Sequence, residues 1–105
     1  MAARRFRITW TDLAHNDLDE AISYIAESSR SAALAQLDRL LAAATSLAEL
    51  PDRGRTVPEL DDPKFRELIL PPYRLIYFRG ESEVWIVALI HTSREFKRRA
   101  SDLHS

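Results

Sequence analysis

Apolar positions along this chain change their period several times, and each change marks an element. Phe6, Ile8 and Trp10 alternate with Arg5, Arg7 and Thr9, the period of a half-buried strand. Thr11 or Asp12 then offers a capping oxygen, and Ala14, Leu18, Ala21, Ile22 and Ile25 recur at helical spacing. Ser28-Ser29-Arg30-Ser31 interrupts that stripe and supplies fresh capping hydroxyls. A second apolar stripe runs through Ala33, Leu34, Leu37, Leu40, Leu41, Ala44, Leu47 and Ala48, and Pro51 and Gly54 end it. So short a break between two stripes predicts antiparallel neighbouring helices.

From Pro51 to Pro63 the chain reads as a polar loop with three prolines. Three strands are expected after it, at about Phe65–Leu70, Tyr73–Arg79 and Val84–His91. The last two flank Arg79-Gly80-Glu81-Ser82, a hairpin turn between β-branched and aromatic runs. Short connections make the three an antiparallel meander. The first strand is separated from them by the helices, so it must join at an edge or beside a non-neighbour. The expected architecture is α+β: an N-terminal strand, an antiparallel helical hairpin on one face, then the three-stranded antiparallel meander completing one sheet (β-α-α-β-β-β). We expect one domain over residues 1–105, with a basic tail at about 92–105 that only Phe96, Ala100 and Leu103 could anchor.

Charge sharpens this picture. The net charge of −1 hides a division: residues 1–11 sum to +3, residues 12–63 to −7, and residues 64–105 to +3. A sheet built from the two ends is basic while the intervening helices and loop are acidic, which suits a sheet that meets an anion. There are no cysteines, which excludes disulfides, thiolate catalysis and cysteine-ligated metal. No apolar run approaches the ~20 residues of a membrane-spanning helix, and the N-terminal arginines lack a following apolar core. A cytoplasmic location without membrane association is expected.

Candidate chemistry is sparse. His15, His91 and His104 have no paired ligand spacing, so neither metal nor any other cofactor is expected. No serine sits in a nucleophile elbow, and two glycines cannot build a phosphate-cradling loop. Asp17 and Glu20 read as part of a solvated helix face. Arg74 is the oddity, a permanent cation opening a strand that otherwise looks like core. It must find a carboxylate, reach solvent along its stem, or await an anionic partner. The meander places the start of its second strand beside the end of its third, hence Arg74 near His91. With Arg66 and Arg94, these residues could bind a phosphate and move a proton, as phosphodiester cleavage requires. The plainer alternative is that Arg74 pairs with a loop acid and His91 merely ends a strand.

The chain resembles the RelE/ParE toxin superfamily of type II toxin–antitoxin systems over nearly its whole length. The resemblance rests on ordered pieces: Thr11-x-x-Ala14, Asp17-Leu18, Ile22-Ser23-Tyr24-Ile25, Leu50-Pro51-Asp52-Arg53-Gly54-Arg55, Arg66-Glu67-Leu68, Tyr73-Arg74-Leu75-Ile76-Tyr77 and Ala88-Leu89-Ile90-His91. It implies the β-α-α-β-β-β fold and a cognate antitoxin. RelE-like members resemble ribosome-dependent ribonucleases that cut mRNA, for which the matching residues here are Arg66, Arg74, His91 and Arg94. Leu68 stands where that branch implies a basic residue, however, and no tyrosine follows Tyr77.

ParE-like members resemble poisons of DNA gyrase that act by binding. The Pro-x-x-Gly-Arg loop and the Ile90-His91-Thr92-Ser93-Arg94 ending look more like that branch. The resemblance therefore implies a growth-inhibiting, non-enzymatic toxin with DNA gyrase as target and the ribosome with its mRNA as the alternative. A ParD-like or similar antitoxin would form a hetero-oligomer with it through Arg66, Tyr73, Arg74 and Tyr77. Arg94, Lys97, Arg98 and Arg99 would face the target.

Overall fold

The computed structural model describes residues 5–93. Arg7–Trp10 forms strand β1, Asp12–Ser28 helix α1 and Arg30–Ser46 helix α2. Arg55–Thr56, Phe65–Leu70, Tyr73–Arg79 and Glu83–His91 form strands β2 to β5. The expected basic tail lies outside the described residues from Arg94 onward. No helix among the described residues is long and apolar enough to cross a membrane.

The two caps are local consequences of sequence. Thr11 adopts an extended conformation and its Oγ1 accepts from Ala14 N at 3.2 Å, satisfying one of the free amides that open α1. Ser29 serves both helices at once. Its N–H donates to Ile25 O at 3.0 Å, closing α1, while its Oγ accepts from Ala32 N at 3.1 Å, opening α2. One residue therefore turns the chain back on itself. After Ser46 the backbone tightens into i→i+3 turns through Leu47, Ala48 and Glu49, so α2 closes before Pro51 is reached.

The strands form one sheet in the order β1-β5-β4-β3-β2. The meander β3-β4-β5 is antiparallel, as its short connections predict. β1 joins at the edge, parallel to β5, with Trp10 opposite Ile86. A short fifth strand, β2, sits within the expected loop and pairs antiparallel with β3, Arg55 opposite Glu67. The helices cover one face, burying Leu40, Leu47, Leu75, Tyr77 and Ile86 between the layers. Val57 and Leu60, from the 51–63 loop, close much of the other face against Phe65, Ile76, Val87 and Ala88.

One irregularity decides where several side chains point. The β4–β5 register shifts between Ile76 and Tyr77: Ile76 lies opposite Ala88, but Tyr77 lies opposite Ile86. Val87 is thus an extra residue, a β-bulge that reverses the alternation of β5 beyond it. Asp17, expected on a solvated helix face, has a structural task here. Its Oδ2 accepts from Leu89 N at 3.0 Å, on the stretch of β5 that extends past the end of β1. An edge amide without a strand partner finds a carboxylate from α1 instead.

Candidate functional site

Arg74 lies on the loop-covered face, opposite Ile90 and beside Ile76, and is 7% exposed. Its Nη1 and Nη2 each donate at 2.7 Å to one oxygen of Glu59, and its Nε donates at 2.8 Å to Glu67 Oε1. The fork of the guanidinium matches the Glu59 carboxylate, which the loop brings down over the sheet. The Glu67 side chain is fully buried, and its Oε2 accepts from Arg55 Nε of β2 at 2.7 Å. Two arginines and two glutamates therefore form a continuous network from β2 across β3 to β4 and up into the loop. Hydrogen bonding to Glu59 is the largest influence holding Arg74 above the usual guanidinium pKa; desolvation opposes it and Glu67 adds to it.

Tyr77 faces the helices and is completely buried. Its hydroxyl donates to Pro51 O at 2.8 Å and accepts from Gly54 N at 2.9 Å, fixing both ends of the Pro51–Gly54 turn. Gly54 is required there: a Cβ would stand 2.7 Å from both Glu67 O and the Tyr77 hydroxyl. Burial raises the Tyr77 pKa above its usual value.

Arg66 and His91 both lie on the helix side of the sheet, opposite Tyr77 and Tyr73 respectively. At strand rise they are about 13 Å apart along the strand direction, with β4 between their strands. Arg66 Nη1 donates to Gly54 O at 2.8 Å, and His91 packs edge-on against Tyr73 with ring centroids 6.1 Å apart. Arg74 and His91 are thus neighbours in register, as the meander implies, yet the Val87 bulge leaves them on opposite faces. Strict alternation would have put them on the same one. Of the four residues expected to meet an antitoxin, Arg66 and Tyr73 are partly exposed, while Arg74 and Tyr77 are interior. Arg94, Lys97, Arg98 and Arg99 lie outside the described residues.

Sequence reasoning passed over Glu59, Glu67 and Asp52, the acids that answer the arginines. Glu67 carried the clearest available signal, a carboxylate between Arg66 and Leu68 in an apolar strand. Nothing in the loop pattern distinguished Glu59 from its acidic neighbours Asp61 and Asp62.

This fold and its residues match a known family. A family model described as the ParE toxin of the type II toxin–antitoxin system parDE matches residues 8–96. The chain belongs to the ParE toxin family. This ParE-family toxin is also 39% identical over 89 residues to Toxin RelE2 of Caulobacter vibrioides, across 84% of its own length and 97% of that protein. Its fold is that of a chain from the chromosomal ParDE TA system of P. aeruginosa, with TM-score 0.68 and 21% identity over 83% of this chain and 96% of that one. The RelE/ParE superfamily and the α+β fold class inferred from sequence hold. A ParE-family toxin has a cognate antitoxin as its partner.

Proposed function

We propose that this toxin inhibits growth in the cytoplasm by binding and poisoning DNA gyrase, without hydrolysing nucleic acid, and that a ParD-like antitoxin neutralises it. The observation that carries the reading is the separation of Arg74 from His91. A nuclease needs a free cation beside a proton-transfer group on one surface. Here the cation is clamped by Glu59 and Glu67, and the imidazole is on the other side of the sheet. In this reading Arg94, Lys97, Arg98 and Arg99 face the target.

The antitoxin would order a segment on the toxin surface, as disordered partners do when they wrap small domains. Tyr24, Leu34 and Leu41 leave apolar area exposed on the helical hairpin for such a segment, with Tyr73 and Arg66 reachable at the sheet. Arg74 and Tyr77 contribute indirectly, by holding the 51–63 loop in place.

The test is to induce the toxin and follow plasmid supercoiling beside transcript ends. Loss of supercoiling with intact transcripts is the expected result. Ribosome-dependent mRNA cleavage with normal supercoiling would overturn it. That second outcome is the RelE-like reading, favoured by the name of the Caulobacter relative; in it Arg66, Arg74, His91 and Arg94 would act together, and the described three would have to be brought to one surface by rearrangement.

A further inference from the structure

A cluster of arginines lies away from the Arg74 network, at the corner where the start of β1, the end of α2 and the β4–β5 turn meet. Phe6 N donates to Ala48 O at 2.8 Å and Arg7 N to Ser82 O at 3.2 Å, which fixes these segments together. Four arginines gather there on the helix side, Arg5, Arg53, Arg66 and Arg79, while Arg7 alternates to the other face of the sheet. Arg5 pairs with Glu49 at 3.0 Å, an exposed contact. Arg53 Nη1 donates to Ser46 Oγ at 2.6 Å. Among the described residues, no carboxylate lies within ion-pair distance of Arg7 or Arg53.

Arg66 and Arg79 share one acid. Their Nε atoms stand 3.9 and 3.0 Å from the same oxygen, Asp52 Oδ1, on a side chain that is 60% exposed. Two guanidinium groups on one exposed carboxylate leave an uncompensated charge, and such contacts hold weakly in water. The Arg79 guanidinium also lies 4.6 Å from the centroid of the Phe6 ring, which braces its plane. Phe6 floors a cavity of about 420 Å³ that Arg5, Arg7, Ser82 and Glu83 also line. Glu83 keeps its charge, its Oε2 accepting from the neutral Thr9 hydroxyl at 2.6 Å, and it lies with Arg7 on the face of the sheet away from Arg66 and Arg79.

We propose that this arginine corner docks the phosphate backbone of duplex DNA, with Asp52 as the carboxylate that the phosphates displace. A small anion between Arg66 and Arg79 would engage two of the four cations. An extended polyphosphate engages cations drawn from the chain ahead of β1, the 51–55 turn, β3 and β4 together, and arginine forks suit phosphate oxygens. Contact is to the backbone, so binding is independent of base sequence and strongly dependent on salt. The proposal stands apart from the identity of the toxin's target, because it concerns free DNA.

The test is fluorescence anisotropy of a short mixed-sequence duplex with the full chain, made by cell-free synthesis, over a salt series. The basic tail is the same in every variant and cancels from the comparison. Arg66→Gln with Arg79→Gln should flatten the slope of log K against log salt by about 1.8, the equivalent of two phosphate contacts. Arg5→Gln with Arg53→Gln, both at exposed positions, should flatten it similarly. Asp52→Asn should bind several-fold more tightly, the opposite of what a purely structural acid would do. Arg30→Gln, an exposed arginine at the far end of α2, should change nothing. If Arg66→Gln/Arg79→Gln does not fold, the Arg5/Arg53 and Asp52 variants decide. Equal slopes for wild type and every corner variant, an equal loss for Arg30→Gln, or weaker binding by Asp52→Asn would each overturn the proposal.

Discussion

Under the helices the sheet is sealed by Leu40, Leu47, Leu75 and Ile86, whereas beneath the 51–63 loop it buries a guanidinium and a carboxylate. The apolar face gains stability from area removed from water, a non-directional term that survives small shifts of the layers. The charged face gains little net energy from burying Arg74 and Glu67, because desolvation offsets most of their attraction. Its geometry does something the apolar face cannot. A bidentate pair between Arg74 and Glu59, continued through Glu67 to Arg55, sets the loop in one position over the strands. The difference separates bulk stability from loop placement, and it predicts unequal responses to mutation.

Arg74→Ala should give the largest effect. It leaves Glu67 buried without its guanidinium partner, a loss of about 3–5 kcal/mol in urea unfolding. A loss below about 1 kcal/mol would mean that water reaches Glu67 and the face is not closed. Leu40→Ala on the apolar face should cost about 3 kcal/mol through lost burial and the cavity left behind. Its unfolding transition should shift while the 51–63 loop keeps its protease resistance, unlike that of Arg74→Ala.

Tyr77→Phe is expected to cost roughly 1–2 kcal/mol, because Pro51 O and Gly54 N lose their shared hydroxyl. The same residue gives a pH signature. Burial raises its pKa from 10.0, so the folded state keeps the phenolic proton after the unfolded chain has begun to lose it. Its contribution is complete below pH 10.0 and falls as pH rises through the folded value. Melting temperatures across the alkaline range should therefore fall more steeply for wild type than for Tyr77→Phe, and parallel curves would refute this. Smallest of all should be the combined change Arg74→Met, Glu59→Leu and Glu67→Met. With every buried charge removed together, stability should stay within about 1 kcal/mol of wild type or rise above it. The loop should then lose its fixed position, visible as faster amide exchange across residues 56–60.

Much of the fold was legible because periodicity is a local signal. The run Phe65-Arg66-Glu67-Leu68-Ile69-Leu70 and the Tyr73–Arg79 run announce strands with the boundaries they take in space. β2 was not legible, since two residues between a glycine and a valine carry no period. The candidate site was less readable still. Arg74 was conspicuous as a cation in a core strand, and pairing with a loop acid was one of its open readings, but the loop sequence did not say which acid. Tyr77 looked like a recognition residue, yet its hydroxyl serves the turn at Pro51–Gly54.

Sequence by itself settled the order of every element but β2, the two capped helices, the meander and the superfamily, all of which depend on spacing within a few residues. Tertiary structure alone decided which face each functional side chain takes. β5 is apolar on both faces from Val84 to Ile90, so an inserted residue at Val87 leaves no trace in the pattern, though it turns His91 away from Arg74. The choice of Glu59 for Arg74, and of one Asp52 for both Arg66 and Arg79, was likewise made by contacts between segments far apart in the chain. Facing and pairing are non-local quantities, set by register and by the layers that close over the sheet.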